Sequence, residues 1–243
     1  MSNPRFYIPV ALTAQTSVAL PEAAAHHAAR VLRLRSGDAV TLFNGQGGEY
    51  AARITAIGKH DVTVAIERHD PVERESPLLV TLVQALSSGE RMDLTIQKAV
   101  ELGVSCIVPV ESERSVVRLK GERAGKRVAH WQQVVVSACE QCGRNRIPEV
   151  RMISPLDVWL AAEENDAQRW VLLPGADTAL RDLPRPQKPV ELLVGPEGGL
   201  TGAEADAARR AGYQPVRLGP RVLRTETAAP ALLAAVQALW GDF

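Results

Sequence analysis

The chain has 243 residues, enough for one large domain or two smaller ones and for a core that needs no staple. Hydrophobic residues make up 46% and charged residues 23%, an ordinary globular balance, while aromatics at 4% leave the core to Ala, Val, Leu and Ile. Lys+Arg and Asp+Glu number 28 each, so net charge gives no global sign of nucleic acid, and no apolar run approaches the roughly 18 residues of a membrane span. The start MSNPRFYIPV lacks the pattern of a secretory signal, and the three cysteines, Cys106, Cys139 and Cys142, suit reduced thiols. The expectation is a cytoplasmic protein without a membrane part.

Residues 21–34, PEAAAHHAARVLRL, predict a short helix. Strand-like runs follow at 39–43, 50–57 and 62–67, joined by the turn sequences 44–48 (NGQGG) and 58–61 (GKHD). Short strands with tight turns suggest a small β-barrel or curled sheet. The polar stretch 70–77, with two prolines, reads as a linker, which divides the chain into domains 1–72 and 73–243. Beyond it the period changes. Residues 78–86 predict a strand. Residues 91–102 predict a helix with Met92, Ile96, Ala99 and Val100 on one face and Gly103 as its stop. A strand at 106–110 and a long helix at 123–141 come next. Ser154 and Pro155 read as an N-cap and first-turn pair for a helix to about residue 164. Residues 170–173 are fully apolar and residues 190–194 are apolar but for Glu191, as expected of strands covered on both faces. Thr201 and Glu204 make a capping box for a helix ending at Gly212, a strand is expected at 216–218, and a helix at 226–240 tolerates Pro230 only near its first turn. Strand and helix in alternation argue a parallel α/β sheet, whose ligands sit at the carboxyl ends of the strands.

That rule selects two loops. In residues 190–201, VELLVGPEGGLT, a buried strand enters a loop of three glycines and a proline before a capped helix. Such a loop lets backbone amides approach a ligand, though a plain strand-to-helix turn has the same outline. It is neither a Walker loop nor Gly-x-Gly-x-x-Gly. Residues 218–228, LGPRVLRTETA, place Arg221, Arg224, Thr225, Glu226 and Thr227 at a strand mouth. Thr225 reads as a helix N-cap, and Glu226 suits the positive end of the helix dipole. Arg221 and Arg224 fit neither role and are expected to meet an anion or a polarised base. Between residues 111 and 151, nine Arg and Lys face five Glu, which is either a phosphate-binding patch or a solvated helix face. The pair Cys139 and Cys142 lacks the further ligands zinc needs, so no metal is expected. His26 and His27 also lack metal partners at helical spacing and are expected at the surface or facing RNA.

The motifs LVGPEGG (193–199) and LGPRVLRTETA (218–228), with RMDLTIQKAVELG (91–103), SER (112–114), ACEQCGRNR (138–146), RESP (74–77) and the region 26–34, resemble the small-subunit ribosomal RNA (uracil-N3)-methyltransferases of the SPOUT superfamily. The resemblance covers nearly the whole chain. It implies an α/β C-terminal domain with a parallel sheet and a deep trefoil knot, a small N-terminal PUA-like β-barrel that helps hold RNA, and a homodimer. The implied cofactor is S-adenosylmethionine and the implied partner 16S ribosomal RNA, within the small subunit. By motif position the cofactor residues are Leu172, Leu173 and Pro174; Leu193, Val194, Gly195, Pro196, Glu197, Gly198 and Gly199; Leu218, Gly219, Val222 and Leu223; and Thr225, Thr227 and Ala228. Arg224 is the first candidate to stabilise the developing uracil anion, with Glu226 taking the proton or orienting Arg224. Arg30, Arg33, Arg91, Arg114, Arg144 and Arg146 are the expected RNA contacts. The target atom does not follow from the cofactor loops. Transfer RNA, a ribose hydroxyl, or a non-catalytic RNA-binding role remain alternatives.

Overall fold

The computed structural model describes residues 3–59, 61–162 and 166–243, so His60 of the second turn and residue 164, the expected end of the fourth helix, lie outside the described residues. The chain divides into two units, one of residues 1–75 with 139–147, the other of residues 76–138 with 148–243.

In the first unit the strands are β1 (Arg5–Tyr7), β2 (Ser17–Ala19), β3 (Ala39–Phe43), β4 (Glu49–Ile57) and β5 (Val62–Asp70). They form one five-stranded sheet in the order β1-β3-β4-β5-β2. Period-two patterning turns Val40, Leu42, Ile54, Val64 and Ile66 into a common core with Phe6 and Ile8. Helix α1 (Glu22–His26) presses Ala25 and Ala28 into it and closes with a π turn over residues 27–31. The helix stops short of the expected Leu34, and Arg33 stands at a φ of 54°. Strands β1 and β2, three residues each, are too short for a periodic signal and were not anticipated.

The second unit contains β6 (Val80–Ala85), α2 (Gly89–Glu101), β7 (Cys106–Glu111), α3 (Glu122–Cys142), β8 (Glu149–Val150), β9 (Ser154–Pro155), α4 (Leu156–Ala161), β10 (Gln168–Leu172), β11 (Val190–Val194), α5 (Gly202–Arg210), β12 (Gln214–Val216) and α6 (Thr225–Trp240). The last four residues of α3 belong to the first unit. The sheet order is β12-β10-β11-β6-β7-β8, with β9 also on β7, and every pairing is parallel. Burial on both faces explains the apolar runs: all five residues of β11 are buried. Helix α2 buries Met92, Ile96, Ala99 and Val100, and Gly103 follows at a φ of 79°. The capping box forms as expected, with Thr201 accepting from the Glu204 amide and Glu204 accepting from the Thr201 amide.

Three local expectations are corrected. Ser154 and Pro155 do not cap a helix; they pair with Val110 and Glu111 as β9, and α4 begins after them. The last strand lies at 214–216, two residues earlier than expected, because its register is set by Trp170 to Leu172 of β10. Helix α6 is capped by Arg224, not Thr225, and Pro230 therefore falls in the second turn. The Thr225 hydroxyl is committed elsewhere, donating to the Gly195 carbonyl at 2.8 Å and accepting from Gln84 Nε2 at 3.1 Å.

Candidate functional site

A cavity of about 490 Å³ opens at the carboxyl ends of β10, β11 and β12, within the usual size range of ligand sites. Its walls come from three stretches: 172–176, 194–209 and 217–228. Most of the lining is apolar side chain or glycine backbone. A Cβ on Gly195 would stand 3.0 Å from the Leu200 amide nitrogen, a closer approach than most side chains make, so the loop folds back on itself most readily with glycine there. Gly199, at a φ of 67°, completes the turn. On the outside of the loop, Arg114 donates to the Gly198 carbonyl at 3.0 Å. The bond between Thr225 and Gly195 fixes the start of α6 against this loop, and Gln84 at the end of β6 holds Thr225 in turn.

Beside the cavity stands a charged cluster. Glu197 Oε1 accepts from the Ser88 amide at 3.0 Å, the Ser88 hydroxyl at 3.1 Å and Arg91 Nη1 at 3.1 Å. Arg91 Nε lies 3.6 Å from Glu226 Oε1. Burial alone would raise the Glu197 carboxyl, but the Ser88 amide, its own amide, Arg91 and the Ser88 hydroxyl outweigh it and hold it below its ordinary value. The second oxygens, Glu197 Oε2 and Glu226 Oε2, are buried and have no hydrogen-bond partner among the described residues.

The cavity gathers Leu172, Leu173, Pro174, Val194, Gly195, Pro196, Glu197, Gly198, Gly199, Leu218, Gly219, Val222, Leu223, Thr225 and Ala228. Two expected cofactor residues, Leu193 and Thr227, are not in its lining, and neither are the two expected catalytic residues, Arg224 and Glu226. Leu193 points into the core with Val83, Val171 and Tyr213, the opposite face of β11 from a cavity-facing neighbour. The Thr227 side chain is exposed on α6, and its amide donates to the Arg224 carbonyl. Arg224 and Arg221 are exposed, Arg221 lines the cavity, and neither has an ion-pair partner among the described residues. Glu226 faces Arg91 rather than Arg224, which corrects its expected orienting role.

The six arginines expected on RNA fare differently. Arg30, Arg33 and Arg114 are exposed, and the Arg146 side chain is 57% exposed beside Glu73. Arg144 is corrected: its side chain is 6% exposed and its fork closes on both oxygens of Glu75, at 3.2 and 3.1 Å from Nε. Arg91 is no free phosphate contact either, since two carboxylates hold it. Sequence reading missed Arg209 and Arg217 in the cavity wall, and Gln84 and Ser88 behind it. A lone glutamine in the apolar run 78–86 was the available signal for Gln84. Cys139 is buried and its thiol pushed up to about 12 by that burial. No group of three or more His, Cys, Asp or Glu side chains suited to a metal occurs among the described residues, and no described helix is long and apolar enough to cross a membrane.

Parallel α/β topology with a glycine-lined cavity at the strand ends is the architecture in which families diverge by their loops, and here the loops are diagnostic. The family model described as RNA methyltransferase domain matches residues 74–237, and that described as RNA methyltransferase PUA domain matches residues 20–67. The chain belongs to this family of RNA methyltransferases, with an α/β parallel-sheet domain and a PUA-like N-terminal domain. Among its relatives is ribosomal RNA small subunit methyltransferase E of Buchnera aphidicola (Schizaphis graminum), 36% identical over 98% of this chain and 97% of that protein. The protein of the same name from Mycobacterium tuberculosis is 37% identical over 88% of this chain and 83% of its own. Of the solved structures, ribosomal RNA small subunit methyltransferase E from Neisseria gonorrhoeae, bound to S-adenosylmethionine, matches with a TM-score of 0.93 at 45% identity over all of both chains. A methyltransferase from Legionella pneumophila, also with bound S-adenosylmethionine, matches with a TM-score of 0.95 at 40% identity over all of both chains.

Proposed function

We propose that this protein transfers a methyl group from S-adenosylmethionine to N3 of a uridine in 16S ribosomal RNA of the small subunit. The observation that carries the reading is the cavity of about 490 Å³, walled by the same two glycine-bearing motifs that bear the resemblance. Its fit to the cofactor rests on the tight Gly195 turn, the apolar walls of Leu173, Leu218 and Leu223, and the free acceptor oxygen of Glu197. The bound cofactor in two solved relatives supports the same fit.

Leu172, Leu173, Pro174, Val194 to Gly199, Leu218, Gly219, Val222, Leu223, Thr225 and Ala228 would hold S-adenosylmethionine, which when bound supplies a methyl carbon that is already electrophilic. The remaining obstacle is the nucleophile, because N3 of uracil carries a proton at neutral pH. Glu226 accepts that proton at Oε2. Arg224 donates to the uracil oxygens, where its planar fork matches the O2–N3–O4 edge and offsets the developing negative charge. The N-terminal domain (1–72), with Arg30 and Arg33, and the exposed Arg114 and Arg146 hold the RNA backbone, while residues 73–243 form the knotted catalytic domain. The protein acts as a homodimer in the cytoplasm.

Nucleoside mass spectrometry of 16S ribosomal RNA from cells lacking the gene tests the reaction. The expected result is loss of 3-methyluridine alone, restored by the wild-type gene; an unchanged 3-methyluridine level refutes it. Arg224→Ala should lower methyl transfer by about 100-fold or more while calorimetry still shows S-adenosylmethionine binding. Near-normal turnover in that variant removes Arg224 from the reaction.

A further inference from the structure

We infer that Arg91 is a positioning residue: anchored on Glu197 and Ser88, it grips Glu226 by one carboxylate oxygen and leaves the other free to take the substrate proton. The inference rests on the reading of Glu226 as proton acceptor.

The geometry distinguishes Arg91 from a structural ion pair. Its guanidinium divides between two carboxylates, with Nη1 on Glu197 Oε1 at 3.1 Å and Nε at 3.6 Å from Glu226 Oε1. Glu197 is the fixed end, because the Ser88 amide and hydroxyl bind the same oxygen at 3.0 and 3.1 Å. Those bonds join the start of α2 to the loop after β11, so the anchor belongs to the cavity wall itself. Glu226 is the dependent end, with Arg91 its ion-pair partner among the described residues.

The energetics point the same way. A buried carboxylate oxygen without a partner carries an unrecovered desolvation cost, larger when charged. Two such oxygens lie in one cluster, on Glu197 and Glu226. A fold that minimised this cost would close the arginine fork on one carboxylate. Oε2 of Glu226 is buried without a hydrogen-bond partner among the described residues, and a proton delivered there would satisfy it. Lysine, with a single charged point on a flexible stem, cannot hold two carboxylates in fixed directions.

The test is a double-mutant cycle on purified protein, with methyl transfer from S-adenosylmethionine to small-subunit ribosomal RNA as one readout and calorimetry with S-adenosylmethionine as the other. Arg91→Gln should lower kcat by about 100-fold, with KM for RNA and Kd for S-adenosylmethionine within about three-fold of wild type. Combined with Glu226→Gln it should add nothing to the loss from Glu226→Gln alone. Arg91→Lys, which keeps the charge and the fold, should recover about ten-fold of the lost rate. Multiplying losses in the double variant, or an S-adenosylmethionine affinity that falls in step with kcat, overturn the inference. If Glu226→Gln turns over normally, the proton-acceptor reading has failed. If Glu226→Gln is inactive and Arg91→Gln normal, the positioning role alone has failed.

Discussion

Two arginine–glutamate clusters in this molecule use the same chemistry to opposite ends. In the first unit Arg144 closes its fork on both oxygens of Glu75, with a side chain only 6% exposed. Nearby, Arg5 binds Glu49 and the Asn145 side chain, and the Asn145 amide donates to the Val72 carbonyl. In the second unit Arg91 is 41% exposed and shared by two carboxylates, each with a buried oxygen left over. Arg144 and Glu75 close on one another and hold the fold together, whereas the two carboxylates beside the cavity each keep an oxygen without a partner among the described residues. Charge and residue type are the same in both, so what separates the two pairs is how many carboxylates each arginine holds.

Removing one partner from each cluster should expose the contrast most strongly. Arg144→Ala strands the Glu75 carboxylate and should lower unfolding free energy by about 3–5 kcal/mol in urea titration, with kcat per folded molecule unchanged. A loss below about 1 kcal/mol would mean that the pair is solvated and the contrast false. Arg91→Gln should show the inverse, costing no more than about 1 kcal/mol of stability while kcat falls by about 100-fold. Between these lies Gly195→Ala: its Cβ would meet the Leu200 amide at 3.0 Å, so the loop must give by a few tenths of an ångström and calorimetry should show S-adenosylmethionine affinity reduced about ten-fold.

The smallest effect is on acid stability. Burial would raise Glu49, but Arg74 and Arg5 outweigh it, and Glu197 is likewise held below its ordinary 4.5. Groups lowered in the folded state add stability above their ordinary value and lose it as pH falls through the folded value. The urea midpoint should therefore drop from about pH 5 downward, and Glu197→Gln should flatten that slope slightly. An unaltered slope would show that Glu197 is not held charged by its cluster.

What could be read in the sequence was what a few neighbouring residues decide. The capping box of Thr201 and Glu204, the stop at Gly103 and the buried strand 190–194 each follow from a local rule. The two loops that wall the cavity were legible for the same reason, through glycines and a strand mouth. What failed was set at a distance. Ser154 and Pro155 look like a cap until Val110 and Glu111 claim them for the sheet. Thr225 looks like an N-cap until a carbonyl 30 residues earlier takes its hydroxyl. Arg144 looks like a phosphate contact until Glu75, 69 residues away, buries its charge. The grip of Arg91 on Glu226 was hidden in the same manner, since no periodicity relates the start of α2 to the start of α6.

The bond from Thr225 to Gly195, with Gln84 behind it, also orders events in time. Gln84 lies 141 residues before Thr225, so this joint forms only after nearly the whole catalytic unit has been synthesised. A nascent chain that has not reached residue 225 can lay down β6 and β11, yet it lacks one wall of the cavity. Closing so long a loop is slow compared with forming local helices. Any ligand of the finished cavity then stabilises the last joint to form, by mass action in proportion to how far its concentration exceeds its dissociation constant.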